Sequence, residues 1–384
     1  MPYPEFGFSH EQTLMRDSVI GLLERTSPPD VLRELDETYG DPEESYAALA
    51  EGGWLALPFA EAHGGLGGSF RDIAVLVEAL GYHSLSVSTH YLCSTIFAGL
   101  YVQDYAHAEV RDEVLAGIMA GKTRLAVGYT EPDAGSDVAG IKTRAKLDGN
   151  HYVVSGQKCF ISCAHVADYL MTAVKTDPDA GRKGMSLLLI DTKLPGVEVR
   201  GMKSMGRHAS RINEVFLDDV RVPATMMLGD ENEAWPKMMR KLNLERLAVA
   251  AGSAGLCMKA IRVAKDFATE RQAFGKDLLQ FQAVAHKFAD MQMLTQNARL
   301  NTYHVADLLD AGQDPVLETT IAKTVASEAM AKVTDLGLQA MGGHGYVAGD
   351  MERLFRDARL GPIGGGTSEI MRNVIAWKMM EAYP

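Results

Sequence analysis

The hydrophobic period of this chain changes twice along its length, and each change restricts what can form on either side of it. Over residues 1 to about 120, apolar residues recur at helical spacing between Pro and Gly breaks. Ser9, Asp41 and Ser69 are placed as N-caps there, and Gly64-Gly65 with Gly67-Gly68 as a loop. From about 121 to 232 short β-branched runs take over: His151 to Ser155, Ser186 to Asp191 and Val215 to Leu217. The turns Asp148-Gly149-Asn150 and Leu194-Pro195-Gly196 lie between them. After Trp235 the helical period returns and holds to the end, with few strong breakers before Gly342-Gly343. This order predicts an α+β multidomain chain: an all-helical domain over 1–120, a central β domain over 121–232 and long packed helices over 233–384.

With 384 residues, 47% of them apolar, the chain can bury a full core. Its formal charge of −12 argues against a nucleic-acid binder, which needs a concentrated cationic surface. The four cysteines, Cys93, Cys159, Cys163 and Cys257, are too few and scattered for a disulfide framework, which favours a reducing compartment. Acidic residues early on, among them Glu11, Asp17, Glu24 and Asp30, fit neither a secretory signal nor a transit peptide, so a cytoplasmic or already processed chain is expected. Leu85 to Val102 carries no formal charge, but Ser86, Ser88, Thr89, His90, Ser94 and Thr95 mark it as a buried helix rather than a membrane span.

Two segments carry the chemical information. The first is Tyr129-Thr130-Glu131-Pro132-Asp133-Ala134-Gly135-Ser136-Asp137, just after the apolar run Leu125 to Gly128. Its small residues let backbone amides approach a ligand and its hydroxyls can bond ring heteroatoms or phosphate, although the same composition also makes an ordinary turn. The second is Gln339-Ala340-Met341-Gly342-Gly343-His344-Gly345-Tyr346, followed by Arg353, Arg356 and Asp357 and then Gly364-Gly365-Gly366-Thr367-Ser368-Glu369. Glycine clusters on a helical background are costly unless a ligand or another helix comes close, and neither cluster has the spacing of a dinucleotide fingerprint or P-loop.

Taken with Arg271 to Lys276 (RQAFGK), these motifs occur in an order and spacing that resembles the acyl-CoA dehydrogenase family over essentially the whole chain. The resemblance implies a helical, β, helical subunit ending in a four-helix bundle, with non-covalent FAD, an acyl-CoA substrate, electron-transferring flavoprotein as acceptor and a homotetramer built as a pair of dimers. It assigns Val127, Tyr129, Thr130, Phe160 and Ser162 to the flavin ring, and Gly135 and Ser136 to the pyrophosphate. Arg271, Phe274, Gln282, Gln339, Gly342 and Gly343 are assigned to a neighbouring subunit's FAD, and Thr367 and Glu369 to the far end of the dinucleotide. Ser136, Asn243 and Arg246 are assigned to the substrate, with Arg246 near the CoA moiety or in a structural ion pair. Phe160 stands where the family often has tryptophan. His344 lies in the flavin-facing motif but is expected to be a hydrogen-bonded structural histidine, and Cys159 and Cys163 lack the partners a metal site needs.

Many members carry the catalytic carboxylate directly before the Gly-Thr pair of the last motif, where this chain has Gly365. In the branch resembling isovaleryl-CoA and long-chain dehydrogenases the base comes from a Leu-Glu-Arg helix, matched here by Leu244-Glu245-Arg246. Helical geometry puts Met238, Leu242 and Val249 within roughly 60° of Glu245, so it lies on an apolar stripe. A carboxylate there is either at the helix surface or buried and kept for chemistry, since an unpaired buried charge costs on the order of 3–5 kcal/mol. The resemblance selects Glu245 as the base, with the Gly365 N–H bonding the thioester carbonyl. Competing expectations are desulfination or enoyl-CoA reduction on the same fold, or a non-catalytic acyl-CoA-binding flavoprotein.

Overall fold

In the computed structural model, which describes residues 6–382, the chain opens on helices α1 (His10–Thr26), α2 (Pro29–Thr38), α3 (Glu43–Glu51) and α4 (Phe70–His83). Ser9 and Ser69 start α1 and α4 through capping boxes with Gln12 and Asp72, each pair satisfying two backbone N–H groups that the first turn leaves free. Asp41 is not a cap: α3 begins after Pro42, and the Asp41 carboxylate instead meets His165 Nε2 at 2.8 Å. An imidazole partner from the turn between the third and fourth strands outcompetes the local backbone for this short side chain.

The uncharged stretch folds as α5 (Leu85–Leu92), a π-helical segment Cys93–Gly99 and the start of α6 (Leu100–Tyr105), buried from Leu85 to Val102 except at half-buried Phe97, and α7 (Ala108–Met119) follows. Several of its polar side chains are satisfied inside the protein, although the Ser88 and Tyr91 hydroxyls have no partner among the described residues. Thr89 and Thr95 each donate at 2.7 Å to the carbonyl four residues back, and Ser94 Oγ accepts from Leu125 N at 3.1 Å.

That last bond attaches the helices to a sheet of seven strands: β1 (Leu125–Gly128), β2 (Arg144–Asp148), β3 (His151–Ser162), β4 (Tyr169–Lys175), β5 (Met185–Asp191), β6 (Val197–Met202) and β7 (Ile212–Pro223). The order is β1-β4-β2-β3-β7-β6, with β5 pairing along β4; β1 and β4 are parallel, and β3 and β7 antiparallel. β3 shifts register against β7 between Lys158 and Ile161, and Phe160 in that irregularity has φ +59°. A bulge of this kind re-aims a side chain.

The last third holds α8 (Ala234–Glu270), α9 (Gln282–Asp310), α10 (Val316–Met341), α11 (Gly343–Tyr346), α12 (Asp350–Ala358) and α13 (Ser368–Ala382). The three long helices pack on one another, and α13 packs on α10. One element departs from the helical expectation: Arg271 to Lys276 forms a hairpin of β8 (Gln272–Ala273) and β9 (Lys276–Asp277), closed by Phe274 and Gly275 at φ +50° and +77°. By length and composition α8 could also cross a membrane, a property not expected outside Leu85 to Val102, but 72% of its apolar window is buried in the protein.

α4 and α8 approach at glycines. A Cβ on Gly81 would lie 2.2 Å from Gly252 O, and one on Gly255 2.1 Å from Glu78 O, whereas one on Gly252 would meet nothing nearer than 3.5 Å. Gly255→Ala should therefore destabilise by roughly 1–3 kcal/mol through overpacking, while Gly252→Ala should be neutral or slightly stabilising through helix propensity. Thermal unfolding of the two variants beside the parent checks the contrast; equal midpoints would remove the close contact as the cause.

Candidate active site

β1 delivers Val127 into the core side of the sheet and then runs into the turn that starts at Tyr129. Paired backbone bonds between Glu131 and Ala134, at 3.0 and 3.1 Å, close that turn and leave Gly135 and Ser136 exposed at its tip. Cys159 N donates to Thr130 O at 3.0 Å, which brings Thr130 beside the bulge carrying Phe160, with Ser162 two residues on at the end of β3. Phe160 is 61% exposed, so an aromatic face stands open next to a turn whose backbone is bare at Gly135: no atom lies within 4 Å of a Cβ built there. An exposed ring beside accessible amides fits the isoalloxazine and pyrophosphate of the flavin nucleotide that the resemblance implies.

Beneath this turn lies a buried ion pair that the sequence analysis does not single out. Lys158 Nζ bonds Glu131 Oε1 at 2.7 Å and reaches Tyr129 O at 3.3 Å, while Glu131 also accepts from Lys142 N at 2.6 Å and Thr143 N at 3.0 Å. Burial drags the Lys158 ammonium down to about 8, with Glu131 opposing. Burial alone would raise Glu131, but Lys158 and the backbone donors hold its carboxyl below the ordinary range, so both partners are ionised at neutral pH. Period-2 alternation through the inward Tyr152 and Val154 places Lys158 on the core face, and that is the signal that could have found it.

Glu245 sits on α8 facing α6. Its Oε1 accepts from the Tyr101 hydroxyl at 2.9 Å, and Oε2 has no donor among the described residues and is not sealed from solvent. Burial raises the Glu245 carboxyl to about 7, against the opposing effects of Tyr101, Arg246 and Lys241. Of the residues expected on its stripe, Met238 is in the core and Leu242 and Val249 are half-buried.

Gly365 is brought to the same place: a Cβ built on it would lie 3.8 Å from Val249 Cγ2, one helical turn beyond Glu245. Its φ is +64°, and its N–H donates to no group among the described residues. The loop that holds it is anchored by Lys323 of α10, fully buried, whose Nζ donates to Gly361 O at 3.1 Å and Gly366 O at 2.6 Å. Burial, then the nearby Arg246, lowers Lys323 to about 8. Lys323 was also missed, although it stands as a charge on a buried face of uncharged residues, Thr319, Ala326 and Met330.

Arg246 is buried; one terminal nitrogen donates to Thr320 Oγ1 at 3.1 Å and its Nε has no partner. Asn243 is engaged with Asp314 through its side-chain amide. Thr367 Oγ1 accepts from Ile370 N at 3.2 Å at the start of α13, with Glu369 exposed in the first turn.

The remaining candidates do not join this group. Arg271 and Phe274 lie on the hairpin after α8, Gln282 opens α9, and Phe274 is 96% exposed. Gln339, Gly342 and Gly343 lie at the end of α10, tied to the end of α8 by a ring contact of 5.1 Å between Phe267 and His344. The rise of a helix separates Glu245 from Arg271 by roughly 39 Å along α8, too far to share one site within a chain.

Comparison with known proteins agrees with the geometry. The acyl-CoA dehydrogenase N-terminal, middle and C-terminal domain models match residues 9–122, 126–220 and 232–380. The chain is 32% identical to a short-chain-specific acyl-CoA dehydrogenase of Clostridium acetobutylicum, over 98% of this chain and 99% of that one. It is 31% identical to the CarC subunit of the caffeyl-CoA reductase-Etf complex of Acetobacterium woodii, over 97% and 99% of the two chains. The crystal structure of an acyl-CoA dehydrogenase from Geobacillus kaustophilus superposes with a TM-score of 0.92 at 30% identity, covering 98% of this chain and 100% of that one.

Replacing Lys158 by Met should strand the Glu131 carboxylate, at a cost on the order of 3–5 kcal/mol, and loosen the turn above it. The expected outcome is a lower thermal midpoint and a lower flavin-to-protein absorbance ratio after purification. A variant with parental flavin content would show that the pair does not support the turn.

Proposed function

This chain belongs to the acyl-CoA dehydrogenase family, and we propose that it oxidises an acyl-CoA thioester to the trans-2-enoyl-CoA, with Glu245 as the base. FAD, the cofactor of this flavin-dependent oxidoreductase, supplies when bound the acceptor for the β-hydride. The observation that carries the reading is a carboxyl raised by burial to about 7 beside a glycine whose N–H donates to no group among the described residues.

The chemistry follows from acidity. A thioester α-proton is too weakly acidic for an ordinary carboxylate in water, so the base must be strengthened and the developing enolate stabilised. Desolvation does the first at Glu245, whose Oε2 takes the α-proton. The Gly365 N–H does the second, donating to the carbonyl oxygen as its negative charge grows. As the C–H bond at the α-carbon breaks, its electron pair forms the double bond and the β-carbon gives up a hydride, so the thioester loses one proton, taken by Glu245, and one hydride that carries both electrons to the acceptor.

The buried Arg246 guanidinium, with Nε unengaged, would hold an anionic or carbonyl group of the CoA moiety, aided by Ser136 at the turn. Asn243 reaches substrate only if it leaves Asp314. Val127, Tyr129, Thr130, Phe160 and Ser162 would face the flavin ring, Gly135 and Ser136 the pyrophosphate, and Thr367 with Glu369 the far end. Arg271, Phe274, Gln282, Gln339, Gly342 and Gly343 would serve a neighbouring copy in a homotetramer, which their distance from Glu245 along α8 supports. Electron-transferring flavoprotein is the proposed acceptor; a relative named as part of an Etf complex supports it. Because a carboxyl near 7 is both acid and base at neutral pH, the same residue can return a proton to the α-carbon, which favours enoyl-CoA reduction as the second reading.

Anaerobic mixing of the FAD-loaded protein with straight and branched acyl-CoAs should bleach the flavin, and Glu245→Gln should slow bleaching by about 10²–10⁴-fold. A base whose carboxyl is raised must be ionised to act, so the rate should climb with pH through about 7 and level off above it. Parental bleaching in the variant would remove Glu245 as base. A flavin that no acyl-CoA bleaches, but that an enoyl-CoA reoxidises once reduced, would move the function to reduction.

A further inference from the structure

We propose that Tyr101 is a positioning residue for Glu245: its hydroxyl tethers Oε1, so that Oε2 is the atom presented to substrate and the carboxylate stays ionised in a desolvated site. This rests on the reading of Glu245 as base.

Tyr101 reaches the Glu245 carboxyl from α6, Tyr129 approaches from the turn after β1, and Lys241 and Arg246 flank it on α8. Neither cation bonds to it. Lys241 Nζ is paired with Asp104, and the Arg246 guanidinium turns towards Thr320. The Tyr129 hydroxyl is buried and has no hydrogen-bond partner by geometry among the described residues. Among the described residues, Tyr101 is therefore the one donor to Glu245, at 2.9 Å.

Tyr101 is suited to hold a carboxylate fixed. The residue is fully buried and its ring packs at 6.1 Å from Tyr105, so the hydroxyl has little freedom to swing away. Burial and the nearby Glu245 raise its own ionisation well above the ordinary phenol range, which keeps it a donor at any working pH. A hydrogen bond to the ionised form of a carboxyl favours that form, opposing the desolvation that raises Glu245. With one oxygen held, rotation about the last side-chain bond is restricted, and the unpartnered Oε2 takes a fixed direction. Orientation of this sort lowers the barrier without changing affinity for the CoA moiety.

Tyr101→Phe keeps the ring and deletes the tether. In the FAD-loaded protein, infrared difference titration over about pH 5–9 should show a protonated-carboxyl band that Glu245→Gln abolishes. In Tyr101→Phe the midpoint of that band should rise by about one pH unit, a tenfold change in the ionisation constant, and its carbonyl stretch should move to higher frequency. The bleaching profile should shift upward by the same amount, with a drop of about tenfold below the midpoint and an unchanged KM. A uniform loss of rate with an unmoved band would assign Tyr101 a structural role alone and overturn the proposal, as would the absence of any Glu245-dependent band. A shifted band together with parental bleaching by Glu245→Gln would uphold the tether and overturn the base assignment instead.

Discussion

The closeness of α4 and α8 decides where everything else can go. At Gly81 and Gly255 each helix lays its backbone against the other with no room for a methyl group, so α8 is held in a single rotation about its axis. That rotation turns Glu245 towards α6 and sends Asn243 and Arg246 into the protein on neighbouring faces. Ridge-and-groove packing between ordinary side chains would leave several degrees of play, whereas backbone contact does not. The bidentate Glu78–Arg299 pair, at 2.8 and 3.0 Å, extends the same constraint from α4 to α9.

Charge is placed inside this scaffold in three ways. Lys158 and Glu131 neutralise each other and organise the turn above them. Lys323 has no carboxylate within hydrogen-bond distance and is satisfied by two loop carbonyls, which converts a buried cation into a clamp on the loop carrying Gly365. Glu245 is the exception, given one neutral donor and no counter-ion contact among the described residues, so burial raises its carboxyl to about 7. The groups that are fully compensated hold structure, and the one left under-compensated is free to exchange a proton.

Much of this was legible in the sequence because it rests on period and on short motifs. The switch from helical to β-branched patterning located the sheet, and the stripe through Met238 and Val249 located the face of Glu245. What escaped notice depends on contacts between distant segments. Asp41 reads as a cap because capping is local, but its partner His165 is 124 residues away. The hairpin at Phe274-Gly275 hides in a helical background because two left-handed residues suffice to make it. Tyr101 gave no signal at all: a tyrosine in an uncharged, buried helix looks like packing until its hydroxyl is seen against a carboxylate. Lys158 and Lys323 could have been found, since both break an otherwise uncharged buried face.

One consequence follows from the length of α8. Glu245 lies in its first third and the Arg271 hairpin at its end, with no break between. Inserting or deleting a single residue anywhere in that interval would turn one end against the other by about 100° and shift it by about 1.5 Å. Because the glycine contact with α4 fixes the helix around Gly255, a change beyond it would displace the hairpin and a change before it would displace Glu245. The helix therefore acts as a gauge block between two functional ends, tolerant of substitution along its exposed face and intolerant of any change in its count of residues.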